Sequence, residues 1–192
     1  MRLLSLMVLV LACPVGHAID HGPLTNHVLS AVPAQGLVTV DGKVSDWDVS
    51  GAIVMTDNVG EPRRLVRVAA MHDDLGLYLL LQFKDRTPMV NHIDPEQGRD
   101  RAWCGDCVQL RINTGAHPNQ AAIRPLQILH IDAYWFSDGA RPTAYVVYGD
   151  LSPGGRVERT IDEAEGRGIT SGYALDADGS GYTQELRLDW KL

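Results

Sequence analysis

Two cysteines three residues apart, Cys104 and Cys107, follow Trp103 and lead into a strand-like run in RAWCGDCVQLRI, residues 101–112. A Cys-x-x-Cys pair can serve four ends. Covalent haem attachment requires His directly after the second cysteine, and Val108 stands there. Zinc requires two further ligands at defined spacing, and the scattered His residues offer no such pattern. Thioredoxin-like exchange wants the first thiol at a helix N-terminus, where the dipole lowers its pKa, but here a strand follows. What remains is a short disulfide pinning the loop to the strand, or else two free thiols. The loop such a bridge closes is tiny, so it would act by local rigidity more than by chain entropy.

Trp103 stands just before that corner. Sugar rings present apolar C–H faces on which an exposed indole can stack, while polar neighbours bond the hydroxyls. Gln109 and Arg111 share one strand face with Cys107 and could supply those bonds. Tyr134 and Trp135 lie on a later hairpin and could extend the contact. Trp is also a common core residue of β-sheet proteins. Trp103 fits a contact or a core position equally, Trp135 fits the core better, and Trp47 and Trp190 read as core anchors.

His130, Asp132 and Tyr134 alternate along one strand and so share a face. No nucleophile or second carboxylate stands at a defensible spacing, so this reads as a polar sheet face with a His–Asp hydrogen bond. DADGSGY, residues 176–182, opens like a calcium loop with Asp176, Asp178, Ser180 and Gly181. The acidic residue expected at the twelfth position is replaced by Arg187, and a strand follows, so a hairpin turn is the better reading.

The elements that must position these residues are strands. Helical periodicity is nearly absent, while Gly and Pro punctuate the chain at hairpin intervals. GLVTVDGKVSDWDVSGAIVM reads as a strand, an Asp41-Gly42 turn, the Trp47 anchor and another strand. Leu65 to Met71 and Leu77 to Phe83 form a hairpin about Asp73–Gly76, with its second strand apolar on both faces. Residues 85–103 read as a long polar loop. CVQLRIN follows as a strand with Val108, Leu110 and Ile112 on one side. A second hairpin turns at Ser137–Gly139, residues 150–172 read as loop, and GYTQELRLDW is the last strand. The fold class predicted is an all-β antiparallel β-sandwich over residues 36–192, after an irregular lead-in at 19–35. The last strand meets the end of the sequence, so the natural domain is expected to continue.

Met1-Arg2 and the apolar run Leu3 to Ala12 read as an export signal, cut near Ala18. Alternatively VLAC is a lipobox and Cys13, after residues 1–12, carries a lipid anchor. Either way the working chain is exported: periplasmic, extracellular or held at the cell surface. No later apolar run is long enough to cross a membrane as a helix. A net charge of −7 with scattered basic residues argues against nucleic acid as a partner.

The order of motifs adds a resemblance. DGKVSDW, then DDLGLYLLLQFKD, then WCGDCVQLRI, then GYTQELRLDW resembles family 9 carbohydrate-binding modules and the wider DOMON-like group of β-sandwiches. That group includes the haem-binding gamma subunits of ethylbenzene and dimethylsulfide dehydrogenases. The resemblance implies a sandwich that binds a ligand without catalysis, the ligand being polysaccharide, oligosaccharide or b-type haem. Family 9 modules clamp sugar between two Trp residues, which points to Trp103 and Trp135. The haem-binding relatives ligate iron with Met, which points to Met89, or to His92 beside it, with Lys191 or His130 as a second ligand. Met89 otherwise reads as a loop residue tucked under the rim. Some family 9 modules hold structural calcium, for which Asp85, Asp94 and Asp100 are the candidate carboxylates. The leading expectation is an exported, non-catalytic carbohydrate-binding module attached to or assisting a larger enzyme or surface protein. The alternative is a haem-carrying electron-transfer domain with a redox partner.

Overall fold

A computed structural model of the chain describes residues 6–9, 28–56, 65–97, 101–113, 128–149, 157–161 and 168–191. In chain order the strands are β1 Leu6–Leu9, β2 Ala31–Pro33, β3 Ile53–Thr56, β4 Leu65–His72, β5 Gly76–Lys84, β6 Val108–Asn113, β7 Ile128–Phe136, β8 Arg141–Gly149, β9 Val157–Ile161, β10 Ile169–Leu175 and β11 Gly181–Asp189. The one helical piece among the described residues is a single 3-10 turn, Ala102–Cys104. The all-β expectation therefore holds. Two compact units emerge, one from the described parts of 1–13 and 91–164, the other from those of 14–90 and 165–192.

The first unit is one sheet in the order β1-β6-β7-β8-β9, antiparallel throughout. Alternation sorts its side chains cleanly. Val108, Leu110 and Ile112 face the same way as their cross-strand partners Ala133, Ile131 and Leu129, and all six are buried. Gln109 opposite Asp132 and Arg111 opposite His130 occupy the other face. At the edge, Leu6–Leu9 of the expected export signal pairs with β6, Met7 standing opposite Arg111.

The second unit is a sheet in the order β10-β11-β5-β4-β2, with β3 also pairing on β4. Its ladders are antiparallel except β2 on β4, which is parallel. Leu79, Leu80 and Leu81 of β5 are all fully buried, as the two-sided apolar run predicts. Each such leucine contributes at most about 3 kcal/mol on burial.

One face of this sheet carries Ala69, Met71, Tyr78 and Leu80, and the segment 32–52 packs across it through Val38, Trp47, Val32, Ala34, Val40, Val49 and Ala52. The strand expected in GLVTV does not form, because residues 36–40, after β2, cross the sheet face instead of joining an edge. Two backbone donors just after them, Asp41 N and Gly42 N, go instead to the Glu185 carboxylate, at 2.7 and 2.8 Å. Residues 150–172, expected as loop, contain β9 and the start of β10. Glycine and charge there mask pairings that β8 supplies to β9 and β11 to β10.

Candidate functional site

Gln109, Arg111, His130 and Asp132, four of the polar side chains singled out from sequence, share the polar face of β6 and β7. Gln109 Nε2 donates to Asp132 Oδ1 at 3.0 Å. His130 Nε2 lies 2.9 Å from the same oxygen, at ion-pair distance but without aligned hydrogen-bond geometry. Both Gln109 and Asp132 are buried, so they brace one another, and Arg111 beside them is exposed. The expected His–Asp hydrogen bond is thus replaced by a close approach of the two groups, and the hydrogen bond to Asp132 comes from Gln109 on the neighbouring strand.

At one end of this face the 3-10 turn folds over the sheet. Ala102, Cys107 and Tyr134 form a small apolar cluster, with Phe136 packed against it. Trp103, in the middle of the turn, is 47% exposed. Tyr134 is 1% exposed, and its hydroxyl donates to Ile93 O at 3.0 Å, so it supports the loop and offers no ring to solvent. Trp135 is half-buried near the end of β7, opposite Pro142.

The loop before the turn is built on Asn91. Its Nδ2 donates to Ala102 O at 2.8 Å and to Asp106 O at 3.2 Å, and its Oδ1 accepts Ile93 N at 3.0 Å. Its backbone exchanges two hydrogen bonds with Ser137 in the β7–β8 turn. His92 Nδ1 lies 2.7 Å from Asp138 Oδ1 of the same turn, both side chains being exposed. The sequence pattern singles out Ser137 only as a turn residue and Asn91 not at all. A polar residue in a polar loop carries no signal that would single it out.

The expected Cys104–Cys107 bridge is not formed; both thiols are free. The 3-10 turn leaves Cys104 exposed, whereas Cys107 is buried with its Sγ 3.6 Å from Val108 O. Burial pushes the Cys107 thiol well above its ordinary pKa, and the Asp132 charge adds to the effect.

The other candidates are dispersed. Met89 is half-buried with φ of 59°, a left-handed conformation for a non-glycine residue. His92 and His130 each already face a carboxylate, and Lys191 is exposed. Asp85 Oδ1 accepts Thr87 N and Asp94 Oδ1 accepts Glu96 N, each capping its own turn, while Asp100 lies outside the described residues. Among the described residues no group of three or more His, Cys, Asp or Glu side chains is placed to hold a metal ion. The 176–181 segment is the hairpin turn expected, with Gly179 N on Asp176 O and Asp176 N on Gly181 O. Trp47 is a core anchor, but Trp190 is 47% exposed, its Nε1 bonded to Asp73 O at 2.8 Å.

No protein-family model matches the chain. No curated protein sequence matches it either. Among solved structures it is similar to a family 9 carbohydrate-binding module from Caldicellulosiruptor kristjanssonii in complex with glucose. The identity is 17% and the TM-score 0.50, over 85% of this chain and 70% of that one. A second structure of a family 9 module from the same organism, in complex with cellotriose, aligns at 18% identity and TM-score 0.49, over 83% of this chain and 66% of that one. The chain thus has the β-sandwich fold of a family 9 module, as its motif order predicts.

Proposed function

We propose that this chain is a non-catalytic carbohydrate-binding module that works outside the cytoplasm. The observation that carries the reading is the exposed Trp103 indole, set on a turn over one end of a polar sheet face whose other end presents Arg111. An indole face offers a pyranose ring an apolar stacking surface, and a guanidinium offers five donors to its hydroxyls. Gln109 acts by holding Asp132 in place. Cys107 and Arg111 are roughly 13 Å apart along β6, a reach that suits an oligosaccharide lying along the strand better than one ring. The fold shared with a module solved with glucose bound makes glucans the first ligands to try.

Export is supported by Met1-Arg2 and the apolar run that follows, with cleavage near Ala18 or lipidation at Cys13. Removal of the leader would take β1 from its sheet and leave β6, with Gln109 and Arg111, at the edge. Attachment to, or work beside, a larger carbohydrate-active protein is part of the same reading.

Affinity electrophoresis on a polysaccharide panel, followed by calorimetry with the retained oligosaccharides, tests it. Retention is expected on at least one polysaccharide. Trp103→Ala should abolish it and Arg111→Ala weaken it about tenfold. A wild-type chain that no polysaccharide retains would end the proposal.

A further inference from the structure

We infer that Asn91 is the positioning residue of the Trp103 turn, so that its side-chain amide controls how the indole is presented. The inference rests on the sugar reading for its function but not for its geometry.

Asn91 is 1% exposed and cannot itself touch a ligand. Its Nδ2 reaches two backbone carbonyls, Ala102 O at 2.8 Å and Asp106 O at 3.2 Å. Those carbonyls bracket Trp103, Cys104 and Gly105, so one amide fixes both ends of the segment that carries the indole. Both Nδ2 protons are thereby engaged, and Oδ1 is taken by Ile93 N at 3.0 Å. The Asn91 backbone is held in turn: Asn91 N donates to Ser137 Oγ at 2.9 Å, and Ser137 N donates to Asn91 O at 2.9 Å. The turn's own hydrogen bonds, Cys104 N to Arg101 O at 2.8 Å and Gly105 N to Ala102 O at 3.4 Å, shape it locally without tying it to the sheet. With both cysteines free, no covalent link does so either. A buried amide thus anchors the turn at both ends, beside the packing of Ala102 on Cys107 and Tyr134.

The side-chain requirement is narrow. Aspartate would set carboxylate oxygens against two carbonyl oxygens, and alanine would leave both carbonyls short of a donor. A loosened turn lets the indole sample several positions, and the ligand must then order it on binding.

The test uses the full chain with its tryptophans 15N-labelled at the indole. The Trp103 Nε1–H resonance is identified by its loss in Trp103→Phe. In Asn91→Ala and Asn91→Asp that resonance should broaden or split, while those of Trp47 and Trp190 stay in place. Affinity for the oligosaccharide retained by wild type should fall about tenfold. An unchanged Trp103 resonance in a folded Asn91→Ala chain overturns the inference. Should that variant fail to fold, Ser137→Ala removes only the hydroxyl that Asn91 N bonds, and the Trp103 resonance must still shift; if it does not, the inference falls. A wild type that binds no sugar defeats the proposed function alone, since the resonances judge Asn91 independently.

Discussion

The carboxylate of Glu185 accepts the indole N–H of Trp47 at 2.6 Å, across 138 residues of sequence. Its other oxygen accepts Asp41 N and Gly42 N. Glu185 is fully buried, and burial pushes its carboxyl above the usual carboxylate range against these three donors. The crossing segment 38–47 is thus tied to the middle of β11 by one side chain. Glu185→Ala leaves the buried Trp47 indole N–H and Gly42 N without a partner and Asp41 N with Thr39 O alone, and should cost roughly 3 kcal/mol, whereas Trp47→Phe takes one donor from the carboxylate and should cost about 1–2 kcal/mol. Urea denaturation measures both. A loss under about 1 kcal/mol for Glu185→Ala would mean that water takes over the carboxylate's place.

Tyr78 sets an alkaline limit on the same unit. Burial, then its 2.9 Å hydrogen bond to Asp73 Oδ2 and the charge there, push its phenol up from 10.0 to about 12. A tyrosine whose folded pKa lies above its unfolded one keeps its proton longer in the native state. The unfolded state therefore binds fewer protons between those values, and stability falls as pH rises from about 10 towards 12. Burial also raises Asp73, but the donors Leu75 N, Gly76 N and Tyr78 Oη outweigh it and hold that carboxyl below its ordinary value. Tyr78→Phe should flatten the alkaline loss relative to wild type, and Asp73→Asn should reduce it. Denaturation curves across that pH range decide, with phenolate absorbance tracking the titration. Identical slopes in wild type and Tyr78→Phe would refute the assignment.

Much of this was legible in the sequence, and the parts that were not share a cause. Alternation and turn residues located β4, β5, β6, β7, β8 and β11, because each pairs as a regular ladder whose period shows in its own residues. The motifs DGKVSDW and GYTQELRLDW were also visible, but not that Glu185 of one receives Trp47, Asp41 and Gly42 of the other. A contact across 138 residues leaves no local pattern. On the candidate site, strand alternation grouped Gln109 with Arg111 and His130 with Asp132 on their own strands, but did not reveal the register that sets Gln109 opposite Asp132 and Arg111 opposite His130. What covers the Cys107–Tyr134 end of that face is the 3-10 turn, tied down by Asn91, and that fastening leaves no pattern in the sequence. Trp190 was misread for a related reason: bonded at its N–H edge to Asp73 O, its ring lies partly open beyond the end of β11.

The two thiols of the CGDC corner should react at very different rates. Cys104 is exposed and Cys107 is buried, with its thiol pushed well above the ordinary range. Only the thiolate is the nucleophile, so burial and suppressed ionisation both hold Cys107 back. In a chain carrying Cys13→Ser, an aromatic disulfide reagent should titrate one thiol quickly at neutral pH and the second only on unfolding. Two thiols reacting together in the native protein would show that the corner opens. No reactive thiol at all after purification without reductant would show that a bridge forms, as the sequence alone led one to expect.

Two glycines separate crowding from conformation. A Cβ on Gly172 would stand 2.6 Å from Val40 O, 2.7 Å from Val40 C and 2.9 Å from Asp41 N, all backbone atoms. Those atoms belong to the segment that the Glu185 carboxylate holds against the sheet, so they cannot recede without lengthening the bond to Asp41 N. Gly172→Ala should therefore cost about 2–3 kcal/mol. Gly179 differs: its φ is +69° and nothing lies within 4 Å of an added Cβ. Gly179→Asn, a residue that tolerates that conformation, should cost less than about 1 kcal/mol. If Gly172→Ala acts by pushing the segment off Glu185, its effect must shrink once that hold is gone. The cost of Gly172→Ala measured in a Glu185→Gln background should be smaller than in wild type by about 1 kcal/mol or more, a coupling expected of neighbours that share one constraint. Simple additivity of the two changes would show that close packing of β10 and the fastening of residues 38–42 are independent.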